Sequence, residues 1–164
     1  MLIYTGTKQQ FNRDVLSNMI APKIEREFAN RGLSHNNQAE FVSWENSMKE
    51  MQKVLNTSDF ADDIQIAVEY QIPLTSKRVD FIIAGSDKDD EDHVIIVELK
   101  QWEEANKTNT NGIVTAFTGG SVKAVAHPSY QAYTYAKMIE NFNATVQEDS
   151  IGMHPCAYLR SYIV

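Results

Sequence analysis

Two apolar runs with the alternation of β-strands constrain this chain more than anything else in it. They are Arg78-Val79-Asp80-Phe81-Ile82-Ile83 and Val94-Ile95-Ile96-Val97-Glu98-Leu99-Lys100. A short connection through Gly85 and an acidic stretch (Asp87, Asp89, Asp90, Glu91, Asp92) separates them. Short runs divided by turn-forming residues pair most simply as antiparallel neighbours. A third run lies upstream, where Ile64, Ile66, Val68 and Tyr70 alternate with Gln65, Ala67, Glu69 and Gln71 before Pro73 ends it. The three read as one meander.

Helical patterns flank it. Thr7-Lys8-Gln9-Gln10 has the form of a capping box and opens a helix through Phe11, Val15 and Met19. Pro22 suits the first turn of a second helix carrying Ile24 and Phe28, with Gly32 as its stop. Phe41, Trp44, Met48, Met51 and Leu55 recur every three or four residues and form one apolar stripe. Residues 106–120, rich in Asn, Thr and Gly, read as a long mobile loop. His127-Pro128 introduces a helix from Ser129 to about Phe142, and a last strand runs through Cys156, Ala157, Tyr158 and Leu159. Helices, three strands, a helix and a strand imply an α/β fold with a mixed sheet: the meander first, then a strand added by a helical crossover.

Length and charge bound the rest. The 164 residues suit one domain with a real core. No run of eighteen apolar residues occurs, so no membrane span is expected, and Met1 to Gln10 turns polar too early for a signal peptide. A single cysteine, Cys156, excludes an internal disulfide framework, fits a reducing cytoplasm and is expected as a buried structural thiol. The net charge of −7 counts against tight binding of duplex nucleic acid, although the loop at 87–92 holds much of the excess.

The chemistry lies in the two defining strands. Glu98 and Lys100 project to one face of their strand because side chains alternate. Asp80, Glu98 and Lys100 would then converge on one edge of the sheet, as a magnesium-dependent phosphodiester hydrolase requires. Carboxylates hold a hard cation through oxygen, and the ammonium stands beside the attacked phosphate. An ordinary same-face ion pair is the alternative. Charges ending a buried apolar strand favour the functional explanation, since burying them unpaired is costly. Gly119-Gly120-Ser121-Val122-Lys123 lacks the order of a phosphate loop.

Asp80, Glu98 and Lys100 in this strand order resemble the signature of the PD-(D/E)xK nuclease superfamily, with Val79 where proline is nominal. Gln131-Ala132-Tyr133-Thr134-Tyr135 fits the Gln-x-x-x-Tyr pattern of RecB-like members, and positions i and i+4 share a helix face. More narrowly, several segments resemble the amino-terminal nuclease module of bacterial nuclease–helicase proteins with a Schlafen-like superfamily-one helicase. Among them are Ser43-Trp44, Glu69-Tyr70-Gln71-Ile72-Pro73, Val97-Glu98-Leu99-Lys100-Gln101-Trp102 and His154-Pro155-Cys156-Ala157-Tyr158.

The resemblance implies a restriction-endonuclease-like core, a mixed sheet of about four or five strands flanked by helices. It spans a single nuclease domain, with amino-terminal helices at 7–56, the catalytic sheet at 64–100 and the Gln-x-x-x-Tyr helix and last strand at 128–164. Asp80 and Glu98 would ligate Mg²⁺ or Mn²⁺, helped by the Leu99 carbonyl. Lys100 would act on the attacking water or the phosphate, and Gln131 would orient Lys100 or a phosphate oxygen. Glu40 is the first choice for a further acidic ligand and Glu69 its rival. Arg78, Tyr135 and His127 are candidate nucleic-acid contacts. Trp102 either caps the core or stacks on a base. The expected activity is cleavage of DNA, with RNA as the second substrate, in the cytoplasm and in defence against foreign nucleic acid. The chain stops in an apolar run at 161–164, so a fragment lacking a carboxy-terminal helicase is expected; self-association is left open. The rival expectation is a catalytically silent nuclease fold binding nucleic acid or a partner protein.

Overall fold

The computed structural model describes residues 1–33 and 38–161. Their elements are β1 (Leu2–Thr7), α1 (Lys8–Leu16), α2 (Ile20–Asn30), α3 (Gln38–Thr57), β2 (Gln65–Gln71), β3 (Arg78–Ser86) and β4 (Asp92–Lys100). Then come β5 (Ala105–Lys107), β6 (Ile113–Thr118), β7 (Ser121–Ala126), α4 (Pro128–Phe142), α5 (Ala144–Glu148) and β8 (Gly152–Leu159). The main sheet has the order β1-β2-β3-β4-β8. Its first four strands are an antiparallel meander, and β8 joins β4 in parallel after the α4 crossover. The fold is therefore the expected α/β architecture, a mixed five-stranded sheet flanked by helices.

Helices cover both faces of the sheet, and each brings an apolar stripe. On one face Phe11, Phe28, Trp44, Met48 and Leu55 of α1–α3 pack on Ile66, Val68, Phe81, Ile83 and Val97. On the other, Ala132, Tyr135, Ala136 and Ile139 of α4 pack on Ile72, Val79 and Ile96. The capping box is formed: the Thr7 hydroxyl accepts from the Gln10 N–H, and the Gln10 side chain accepts from the Thr7 N–H. α1 stops at Leu16, so Met19 belongs to the junction before α2 and lies exposed.

Other expectations are corrected. Leu2–Thr7 forms an edge strand on β2. Residues 106–120 are no loop, because β5, β6 and β7 form a second antiparallel sheet there. Gly119 and Gly120, with φ of +58° and +81°, make its β6–β7 turn, a conformation that glycine adopts without strain. Trp102 is buried against Val114 and Ala116 of this sheet, which makes it a core residue. Cys156, in the middle of β8, is exposed rather than buried. The apolar carboxy-terminal run lies mostly outside the described residues. Among those described, no helix is long and apolar enough to cross a membrane.

Candidate active site

The strand registers place three carboxylates in a row across the sheet. Glu69 falls between the β2–β3 pairs Val68–Phe81 and Tyr70–Val79, opposite Asp80. Asp80 in turn lies one step past the Phe81–Val97 pair of β3–β4, opposite Glu98. The row coincides with a break in alternation. Ile66 and Val68 face α1–α3, whereas Tyr70 and Ile72 pack with α4. Likewise Phe81 and Ile83 face α1–α3 while Val79 packs with α4. The change of phase in β2 falls at Glu69, whose φ of +56° is left-handed, a conformation costing a non-glycine residue about 1 kcal/mol or more. It replaces the unbroken alternation expected through Tyr70, and the Glu69 side chain lines the cleft beside Asp80.

Neighbouring elements hold each group. The Leu99 N–H donates to Asp80 Oδ2 at 2.8 Å. Glu98 Oε1 accepts from Lys100 Nζ at 2.5 Å and from Gln131 Nε2 of α4 at 2.6 Å, while Gln131 also donates to the Tyr135 hydroxyl at 3.0 Å. Glu98 Oε2 is buried with no N–H or O–H donating to it, and the Glu98 and Asp80 carboxyls are close enough to share a hydrogen bond when one of them is protonated. Trp44 Nε1–H of α3 donates to Glu69 Oε1 at 2.9 Å. The Arg78 guanidinium stands 3.4 Å from Glu69 Oε2 and 3.3 Å from Glu40 Oε1, above the Phe28 ring.

Three acids in one buried corner disfavour ionisation. Burial, followed by the Asp80 charge, pushes Glu98 up to about 7 against the pull of Lys100. Burial and then Asp80 also push Glu69 up to about 7, despite Arg78 and the Trp44 N–H. Burial raises Asp80, and the Leu99 N–H is the largest opposing influence. The row opens into a cleft of about 700 Å³ walled by Ser43 and Ser47 of α3, Lys77, Gln101 and Phe117–Gly119 of the second sheet.

Asp80, Glu98, Leu99, Lys100, Gln131, Tyr135, Arg78, Glu40 and Glu69 thus line one cleft. Between the two rival acids, Glu69 stands beside Asp80, whose charge it feels, while Glu40 pairs with the Arg78 guanidinium. Tyr135 is buried with its hydroxyl engaged by Gln131. His127 does not line the cleft; it caps α4, its Nδ1 accepting from the Ser129 N–H. Phe117–Gly119 fall in the stretch expected as a loop at 106–120, and they reach the cleft as part of a hairpin, for which Gly-Gly between alternating residues is a signal.

Fold and cleft define a mixed α/β protein with a clustered carboxylate–lysine site at the mouth of its meander. Comparison with protein-family models, with curated proteins and with solved structures found no match to this chain.

Proposed function

We propose that this chain is a divalent-metal-dependent phosphodiesterase acting on nucleic acid, DNA ahead of RNA. The row Glu69–Asp80–Glu98 beside Lys100 carries the reading. Asp80 and Glu98 offer carboxylate oxygens, the donors that a hard divalent ion takes, and Glu98 Oε2 is buried with no donor to it; the three acids of the row do not bring one oxygen each within 4.8 Å of one another, so Glu69 would join through a bridging water or a shift of its side chain. Asp80, Glu98 and the Leu99 carbonyl would hold Mg²⁺ or Mn²⁺, with Glu69 preferred to Glu40 as the further acid. Bound there, the ion supplies electrophilic activation of the phosphate and acidifies water.

The chain's own residues do the rest. Gln131 and Lys100 occupy Glu98 Oε1, which fixes the carboxylate and leaves Oε2 bare. The Leu99 N–H fixes Asp80 in the same way. Lys100, partly exposed in the cleft, presents a positive charge to an incoming phosphate and to the charge that grows on it during attack. Arg78 offsets Glu69 and Glu40, so the acids do not repel a polyanion outright. Phe117, 62 % exposed at the rim, and Lys77 add a stacking face and a second cation. The resemblance alone supports a helicase as partner and a role in defence.

The test is cleavage of labelled single- and double-stranded DNA and RNA with Mn²⁺ or Mg²⁺, alongside EDTA, Asp80→Ala and Lys100→Ala. Metal-dependent cutting lost in both variants supports the enzyme. A folded wild type that neither cuts nor gains thermal stability from Mn²⁺ leaves the silent binding module, which the net charge of −7 mildly favours.

A further inference from the structure

The far end of β4 carries a second cluster, remote from the carboxylate row. His93 opens β4 opposite Gly152 of β8, and His154 lies opposite Ile95 on the same face. Asp87, in the β3–β4 connection, is held by the Asp89 and Glu91 N–H groups, both donating to its Oδ1. Its Oδ2 stands 3.2 Å from His93 Nε2. An ionised carboxylate at Nε2 keeps the proton of a neutral imidazole there and leaves Nδ1 as a bare lone pair. His93 Nδ1 is aimed at His154 Nε2, 3.0 Å away.

The gap between these nitrogens is kept clear by a glycine. A Cβ on Gly152 would lie 2.5 Å from His93 Nδ1 and 3.2 Å from His154 Nε2, so any larger residue would displace the His93 ring. The separation also suits a metal. Two bonds of about 2.0–2.1 Å put ligand nitrogens about 2.9 Å apart at the right angle of an octahedral ion and about 3.3 Å apart at the tetrahedral angle of Zn²⁺, and the observed 3.0 Å lies between the two. Beyond them lies a pocket of about 520 Å³ lined by Phe60, Ile64, Pro155 and Cys156, which leaves room for water in the remaining positions.

We propose that His93 Nδ1 and His154 Nε2 bind a first-row divalent ion of the Zn²⁺ or Ni²⁺ type, with Asp87 as the positioning residue behind His93. Imidazole nitrogen selects such ions over Mg²⁺, so this site and the carboxylate row differ in the metal they take. The ion would tie the β3–β4 turn to the start of β8. The plain alternative is a hydrogen bond from His154 to His93. A second is a metal on Asp87, Glu91 and His93, whose ligand atoms lie within 4.8 Å of one another.

The test is Zn²⁺ titration of the full chain by calorimetry at pH 7.5. Wild type runs beside His93→Ala, His154→Ala, His154→Gln, Cys156→Ser, Glu91→Gln and Asp80→Asn, with circular dichroism in EDTA confirming that each is folded. One bound equivalent beyond any taken by the carboxylate row is expected, lost in the three histidine variants and retained in the other three, with Asp80→Asn removing only the equivalent of the row. Asp87→Asn should weaken the histidine-dependent equivalent about 10–100-fold. Cu²⁺ loaded in place of Zn²⁺ should show hyperfine splitting from two nitrogens by electron paramagnetic resonance. No equivalent beyond that of the row, or one that survives His154→Ala, overturns the proposal. So does a histidine-dependent equivalent that Glu91→Gln or Cys156→Ser removes, or one that Asp80→Asn removes together with the equivalent of the row.

Discussion

The clearest consequence of the carboxylate row is a protein that loses stability as pH rises from 5 to 8, and regains it from a divalent ion. Glu98 is raised from 4.5 to about 7 in the fold. Between those values the unfolded chain has released this proton and the folded chain still holds it. Stability therefore falls with rising pH, by about 1.4 kcal/mol per pH unit for one group. Across the gap from 4.5 to about 7 the loss for Glu98 alone is about 3 kcal/mol. Its side chain is 2 % exposed, so solvent screening does little to reduce the figure. For a chain of this size 1 kcal/mol moves Tm by about 2–4 °C, which makes the drop about 6–12 °C. Glu69, raised to about 7 as well, adds in the same direction. The assay is thermal unfolding followed by circular dichroism in EDTA from pH 5 to 8.5, for wild type and Glu98→Gln. The amide is neutral at every pH, so the variant should show a much flatter profile. At pH 8 Glu98→Gln should be the more stable protein without metal, and Mn²⁺ should raise only the wild type. A flat wild-type profile in EDTA, or parallel curves for the two proteins, would refute the reasoning.

Other perturbations separate the roles of single groups. Lys100→Ala should lower kcat about 10²–10³-fold in the cleavage assay, with less change in KM, because it removes a charge that acts on the transition state. Phe117→Ala should weaken binding of single-stranded DNA by about 1–3 kcal/mol in a Ca²⁺ fluorescence-anisotropy assay, and Phe117→Trp should preserve it. Phe81, fully buried in a ring contact with Phe11, should cost about 3–5 kcal/mol when replaced by alanine, read by urea unfolding.

The parts legible in the sequence are those in which one periodicity runs long enough to repeat. Trp44, Met48, Met51 and Leu55 mark the buried face of α3, and Val94 to Leu99 mark a strand covered on both faces. The Thr7–Gln10 capping box needs only four residues because its geometry is local. β1 left no such trace. Its inward residues Ile3 and Tyr4 are adjacent, so neither strand nor helix alternation shows. β5–β7 were hidden by the Asn- and Thr-rich stretch around them, which outweighed the Gly119-Gly120 turn. Asp80, Glu98 and Lys100 could be picked out because each sits in an apolar run. Glu69 stayed one of two choices, since its place depends on the register of β2 against β3 and on a left-handed backbone that no residue type announces.

That strained residue bears on what the site is for. Alternation left unbroken would keep Glu69 with Gln65 and Ala67, on the face opposite to Ile66 and Val68. Instead the chain adopts φ of +56° there, and the acid meets the Trp44 indole of α3, the Arg78 guanidinium and the Asp80 charge. A corner serving only to stabilise the fold would gain by replacing one of these acids with an amide or an apolar residue, because each buried charge raises the cost of the next. The row does the reverse: it adds a third carboxylate at a backbone penalty and leaves Glu98 Oε2 without a partner. Strain and crowded carboxylates converge on one cleft, and a cation entering it would offset the mutual repulsion of the acids that the strained backbone brings together. The same reasoning separates this cleft from the Arg31–Glu27 and Lys53–Glu50 pairs on the helices, where opposite charges meet one to one at the surface and call for nothing further.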